Sequence, residues 1–329
     1  MGATEAMKLT RLLSIFSLIF FFSSVCNISA RAPQTPKIVF PLIDDGNSEI
    51  YLMNPDGTEQ VRLTHNKAFD VSPVWSPTGK RILFASNRDG GRDLYLMDAD
   101  GKNVKRIFGK SADRRHPTWS PDGKQIAYTR REQGKGFIYI ASIDGKKEER
   151  VAIGAVPTWS PNGTEIAFIT GAVKRKQISL LNVSTHKQKV LFPKPVRPSW
   201  LTSPAWSPSG EKIAFTWLHK VPLGEFANTE TIYIINRDGT GLRQVIIDEG
   251  VGRESSPAWS PRGDELLYTR YIEGEQTQIF RIALDGGEPV QLTDPSFWHF
   301  TGDWFDPAYA LPVSPQPQLL TTIWGKLKK

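Results

Sequence analysis

Pro117-Thr118-Trp119-Ser120-Pro121-Asp122-Gly123-Lys124-Gln125-Ile126-Ala127-Tyr128 reads as a short strand, a tight turn and a second strand. Trp119 is a large apolar anchor. Ser120-Pro121-Asp122-Gly123 suits a type I turn, with proline presetting φ at the second position and glycine at the fourth. Gln125 to Tyr128 alternates like a half-buried strand. A single copy would mean only a hairpin. Near-copies surround Trp75, Trp159, Trp206 and Trp259, each followed by Ser-Pro-x-Gly, at spacings of 44, 40, 47 and 53 residues. A period of that size with strand content throughout predicts propeller blades.

A full unit holds four strand signals. In the Trp75 unit they are Val74-Trp75 (strand a), Arg81 to Ser86 (b), Asp93 to Met97 (c) and Val104 to Phe108 (d). Asp100-Gly101 is a hairpin signal between c and d, and Asp56-Gly57, Asp144-Gly145, Asp238-Gly239 and Asp285-Gly286 stand in the same place. At the N-terminal end, Lys37 to Phe40, Glu49 to Met53 and Val61 to Thr64 read as b, c and d with no strand a before them. At the other end, Gly302 to Pro307 is a degenerate strand a around Trp304. The expectation is an all-β, six-bladed propeller of four-stranded antiparallel blades, with strand a at Trp304 joining the N-terminal strands and removing the open edges.

The flanks divide the chain further. Lys8 and Arg11, the apolar run Leu12 to Val25 and the small residues up to Ala32 read as an export signal over 1–32. The propeller follows over 33–311, then a tail over 312–329 with Pro312, Pro315 and Pro317 at its start. Periplasmic or secreted localisation is expected, with membrane tethering if the segment stays uncleaved and no transmembrane domain once it is removed. The only cysteine is Cys26, inside that segment, so the propeller offers no disulfide or thiolate chemistry. Net charge is +7, scattered over many turns without a nucleic-acid motif, which argues against nucleic acid as partner. Asn162-Gly163-Thr164 and Asn182-Val183-Ser184 match a glycosylation pattern.

The unit Trp-Ser-Pro-x-Gly-Lys-x-Ile-Ala-Phe/Tyr, with Asn87-Arg88-Asp89-Gly90 and Leu94-Tyr95-Leu96-Met97-Asp98, resembles the WD40-like β-propeller repeat (PD40) of the TolB family over residues 37–306. Similar repeats occur in prolyl oligopeptidase relatives and oligogalacturonate lyases. The resemblance therefore implies the fold strongly and the function weakly. TolB proteins carry an α/β domain ahead of the propeller, whereas here strand signals begin at Lys37. No Gly-x-Ser-x-Gly elbow of the peptidase type is present.

Blade geometry sorts the loops by face. The b–c and d–a connections collect Arg88, Arg92, Arg114, Arg115, Arg130, Arg131, Lys135, Lys174, Arg175, Lys176, Lys220 and Arg253, predicting one basic face able to steer an acidic partner or anionic glycan. Asp70, Arg114, Arg115, His116, Arg253, Glu254 and Asp303 precede or enter strand a and are expected at the channel mouth, as a ligand or partner site. His65, His116 and His299 fall in d–a connections and form the candidate set for a divalent metal, in an alternative reading as a metal-assisted polysaccharide lyase or hydrolase. The long b–c connection from Leu218 to Thr229 carries Phe226 as a candidate contact. The repeated tryptophans, Trp304 included, are expected to fill the space between blades. The preferred reading is an exported, monomeric, non-catalytic binding or scaffold propeller that uses no cofactor and engages a protein of the cell envelope or an anionic glycan.

Overall fold

The computed structural model describes residues 30–171, 176–192, 200–220, 228–246, 253–272 and 274–310. Residues 1–29 of the expected export signal over 1–32, and the tail over 312–329, lie outside them. Val71–Trp75, Arg81–Ser86, Asp93–Asp98 and Lys105–Arg106 form one four-stranded antiparallel meander. Asp113–Trp119, Gln125–Glu132, Lys135–Ser142 and Glu148–Ile153 form another, and Ala155–Trp159, Glu165–Thr170, Gln177–Asn182 and Gln188–Val190 a third. Two more run Trp200–Trp206, Lys212–Lys220, Asn228–Asn236, Arg243–Gln244 and Arg253–Trp259, Glu265–Tyr271, Gln278–Ala283, Val290–Gln291. A single parallel bridge, Glu230 to Arg253, links these last two. We name each blade by the tryptophan of its strand a.

The sheet at the chain ends is composite. Lys37–Asp44, Asn47–Met53 and Val61–Arg62 supply three strands. Trp298–His299 and Asp303–Phe305 both pair with Lys37–Asp44, setting Leu42 opposite His299, and Ile38 opposite Trp304. The degenerate repeat at Trp304 thus lies in a strand paired with the first strand of the chain.

The blades face one another through apolar clusters. Trp119 packs with Leu83, Leu94 and Phe108 across the junction of the Trp75 and Trp119 blades. Trp159 packs with Ala127, Ile138 and Phe168 across the next. Ile38, Phe40 and Met53 pack with Leu267, Ile279 and Leu292 of the Trp259 blade. This sandwiching corrects the half-buried reading of Gln125 to Tyr128. Ile126, Ala127 and Tyr128 are all buried, because both sheet faces meet a neighbouring blade. The connection expected over Leu218 to Thr229 is also shorter than read. The flanking strands stay paired out to Lys220 and Asn228, leaving 221–227, with Phe226, outside the described residues.

Sequence reading missed a second regularity. The register shifts in strand a of all five complete blades, between Arg115 and Thr118 in the Trp119 blade for example. Ser72, His116, Val156, Ser203 and Ser256, each three residues before its tryptophan and followed by proline, take φ of 50–55° at this bulge. A non-glycine residue there costs about 1–3 kcal/mol and persists only where its surroundings hold it. The preceding blade supplies part of that hold. Thr129 Oγ1 accepts from Val156 N at 2.9 Å, Thr216 Oγ1 from Ser256 N at 3.0 Å and Thr269 Oγ1 from Thr301 N at 2.9 Å. Thr129→Val keeps the volume but leaves the Val156 N–H without this acceptor. It is expected to lower stability by about 1–3 kcal/mol in urea denaturation, with Thr129→Ser close to the parent.

Candidate functional site

The strands a converge on a cavity of about 560 Å³. Its wall repeats from blade to blade: bulge residue, proline, a small residue, tryptophan and the turn proline, as in His116, Pro117, Thr118, Trp119 and Pro121, joined by the serine after tryptophan at Ser160, Ser207 and Ser260. The turn prolines Pro77, Pro121, Pro161, Pro208 and Pro261 belong to the lining. Two of the expected mouth residues, His116 and Asp303, also line it; Asp70, Arg114, Arg115, Arg253 and Glu254 do not. The concavity therefore sits toward the Ser-Pro-x-Gly turns rather than among the residues upstream of strand a.

Asp303 stands where the complete blades have Val74, Thr118, Thr158, Ala205 and Ala258. Its carboxylate accepts from Trp75 N at 2.8 Å and Trp304 N at 2.9 Å, so it ties strand a of one blade to strand a of the next. Burial pushes its pKa up to about 6, against the pull of those two hydrogen bonds. His116 is moved the other way, down to about 4, by burial and then by the guanidinium groups of Arg115 and Arg92, with Asp113 opposing.

The two groups act oppositely on stability. Between about pH 4 and 6.5 the unfolded chain binds the histidine proton that folded His116 refuses, so this contribution rises with pH. Between about pH 4 and 6 folded Asp303 holds a proton that the unfolded chain releases, so its contribution falls with pH. Each is worth on the order of 2–3 kcal/mol across its window. Denaturation midpoints measured from pH 4 to 7 are expected to slope more steeply upward for Asp303→Asn than for the parent, and more downward for His116→Asn. Curves parallel to the parent would remove this account.

The residues at or just before the start of strand a are mostly engaged within the fold. Arg114, 3% exposed, donates through Nη1 to both Asp93 oxygens at 3.1 Å and through Nε to Glu148 Oε1 at 3.0 Å. Glu148 also accepts from Arg130 Nη1 at 3.1 Å and from the Tyr128 hydroxyl. Burial raises the Glu148 pKa, but hydrogen bonds from Arg114 and Tyr128 outweigh it and the net shift is downward. Buried Asp70 pairs with Arg88 at 2.8 Å. Buried Glu254 accepts from Arg270 Nε at 3.1 Å, and burial raises its pKa against that pairing. Arg115 pairs with Asp113 at 2.6 Å. The expected basic face is therefore thinner than the sequence implies. Arg131, Lys135 and Arg253 remain exposed on it, while Lys174, Arg175 and the side chain of Lys220 lie outside the description.

The metal set is not assembled. His65 is exposed, His116 lines the cavity, and His299 is fully buried beside Phe40 with Nδ1 2.9 Å from the Phe297 carbonyl oxygen. Among the described residues no three His, Cys, Asp or Glu side chains stand together as a metal site. Of the repeated tryptophans, Trp75, Trp119, Trp159, Trp206 and Trp259 are 5–9% exposed, and Trp304 packs against the cluster of Ile38 and Leu267.

Comparison with known proteins agrees with this architecture. The family model described as the TolB beta propeller domain matches residues 17–156 and 138–306. A 50-residue stretch is 46% identical to the Tol-Pal system protein TolB of Geobacter sulfurreducens, covering 15% of this chain and 12% of that relative. The crystal structure of TolB from Acinetobacter baumannii superposes with TM-score 0.70 at 20% identity, over 82% of this chain and 66% of that one. A putative TolB from Agrobacterium tumefaciens gives TM-score 0.63 at 18% identity, over 82% and 92%. At these identities the structural likeness speaks for the fold alone.

Proposed function

The chain belongs to the TolB β-propeller domain family, and from that premise we propose an exported, non-catalytic binding module. Its six blades form a ring, closed where Asp303–Phe305 joins Lys37–Asp44, and its channel receives an extended segment of a cell-envelope protein. The cavity wall carries the binding reading. Repeating prolines, hydroxyls and indoles make a largely neutral surface, with His116, Asp303 and the Tyr309 phenol as its ionisable groups. Such a concave, mostly apolar wall with a few fixed polar groups suits a polypeptide segment better than a highly charged ligand. Closure is supported by the pairing of Ile38 with Trp304 and by the cluster joining Phe40 to Leu267. Export is supported by the basic and apolar pattern from Lys8 to Val25.

Thr158 lies in the cavity wall and is the place to test this. Thr158→Arg is expected to cut recovery of the partner from envelope extract at least tenfold, while Lys135→Gln on the exposed rim leaves it unchanged. Equal recovery with both variants, at parental melting temperature, would reject the channel as the binding site.

A further inference from the structure

Because the blades repeat, the position six residues before each strand-a tryptophan can be compared from blade to blade. It holds Phe69, Asp113, Ile153, Trp200, Arg253 and Trp298. Large aromatic or cationic residues run through Trp200, Arg253 and Trp298, and half-buried Phe69 follows them in the ring order. Blade packing does not require this: Trp200 and Trp298 are each 39% exposed, unlike the buried anchor tryptophans. Tyr271 lies beside Trp298 with ring centroids 6.5 Å apart and planes within 18° of parallel, a stacked pair. Arg253, paired in register with Tyr271, holds its guanidinium carbon 5.8 Å from the Tyr271 centroid. Lys176 Nζ sits 4.6 Å from the centroid of Trp200.

We propose that this arc, from Trp200 and Lys176 through Arg253 and Tyr271 to Trp298, binds an acidic polysaccharide. A pyranose has an apolar C–H face and a polar rim. Flat, exposed rings match the first, and guanidinium and ammonium groups beside them match carboxylates on the second. A protein hot spot would gather its aromatics at one dry centre. Here the rings stand on successive blades with cations between them, which suits a linear ligand of repeated units. Glu230, bridged to Arg253 through the backbone, is the acidic neighbour, and burial biases its carboxyl toward the neutral form against the pull of Arg253. This inference rests on the reading of the chain as a binding module, but it uses a surface apart from the cavity.

The test is titration of the full chain with polygalacturonate, alginate and neutral dextran, followed by tryptophan fluorescence and affinity electrophoresis. Binding to either polyuronate and not to dextran is expected. Trp298→Ala and Arg253→Gln should each weaken it at least tenfold at unchanged melting temperature, with Trp200→Ala weakening it for longer chains most. No binding to either polyuronate would overturn the proposal, as would equal binding by all variants, which marks non-specific charge attraction. Loss of a protein partner in the Trp298 variant without polyuronate binding would overturn it in favour of a protein surface. Partner capture that depends on Thr158, together with polyuronate binding unchanged in Trp298→Ala and Arg253→Gln, would leave the channel reading standing and remove this one.

Discussion

Gly302→Ala is expected to lower stability by about 3 kcal/mol or more, a drop of roughly 6–12 °C in melting temperature for a domain of this size. The complete blades carry proline at this position, whereas the closing strand carries glycine. A Cβ at Gly302 would stand 1.8 Å from the Val39 carbonyl oxygen and 2.8 Å from its carbon. Both atoms are backbone, so no rotamer change relieves the clash. Either the closing strand or Lys37–Asp44 must shift, and with it the pairing of Val39 with Asp303 and the hydrogen bond from Trp75 N. The packing around Asp303–Phe305 would suffer too, since Phe305 packs 5.5 Å from Trp75 and also covers Gly79. Phe305→Ala is expected to cost about 3–5 kcal/mol through the cavity it leaves. Gly109→Ala is the control, because a Cβ there meets nothing within 4 Å. If thermal and urea denaturation of Gly302→Ala matched that control, the pairing of Asp303–Phe305 with Lys37–Asp44 would contribute little to stability.

Much of this architecture is legible in the chain. The tryptophans and Ser-Pro-x-Gly turns recur because each blade solves the same packing problem, and Trp304 is recognisable by spacing despite its altered surroundings. The site was legible only in part. Asp303 and His116 stand out because they replace neutral residues at repeat positions. Arg114 stands out equally in sequence, yet it is buried between Asp93 and Glu148, which lie 21 residues before it and 34 after it. Nothing local to Arg114 reveals those partners, because a neighbouring blade and an outer strand bring them in. The threonine acceptors at Thr129, Thr216 and Thr269 did leave a trace, a threonine after the aromatic or β-branched middle of strand b. Its meaning required the bulge in the next blade. The exposed rings of Trp200 and Trp298 are hidden among ten tryptophans until burial separates them from the anchors.

Arg114→Met is expected to destabilise by about 3–5 kcal/mol, the cost of leaving a buried charge without its partner. Asp93 is 1% exposed, and besides Arg114 its carboxylate accepts from Leu94 N at 2.8 Å. Losing Arg114 strands that charge between two blades. Glu148 fares better, because Arg130 and the Tyr128 hydroxyl remain beside it and its side chain is 22% exposed. The aromatic contact goes as well, since the Arg114 guanidinium carbon lies 3.8 Å from the Phe108 centroid. Lysine is a poor substitute, lacking the planar fork that here serves two carboxylates at once. The double variant Arg114→Met/Asp93→Leu should recover part of the loss, since apolar pairs often replace buried ion pairs at little cost. A single variant melting within about 2 °C of the parent, hence within about 1 kcal/mol, would show that the pair is not a structural bridge. The same reasoning governs how the basic face is probed. Charge reversal at Arg114 would damage the fold before it tested a partner, so exposed Arg253 is the position at which loss of binding reports on binding.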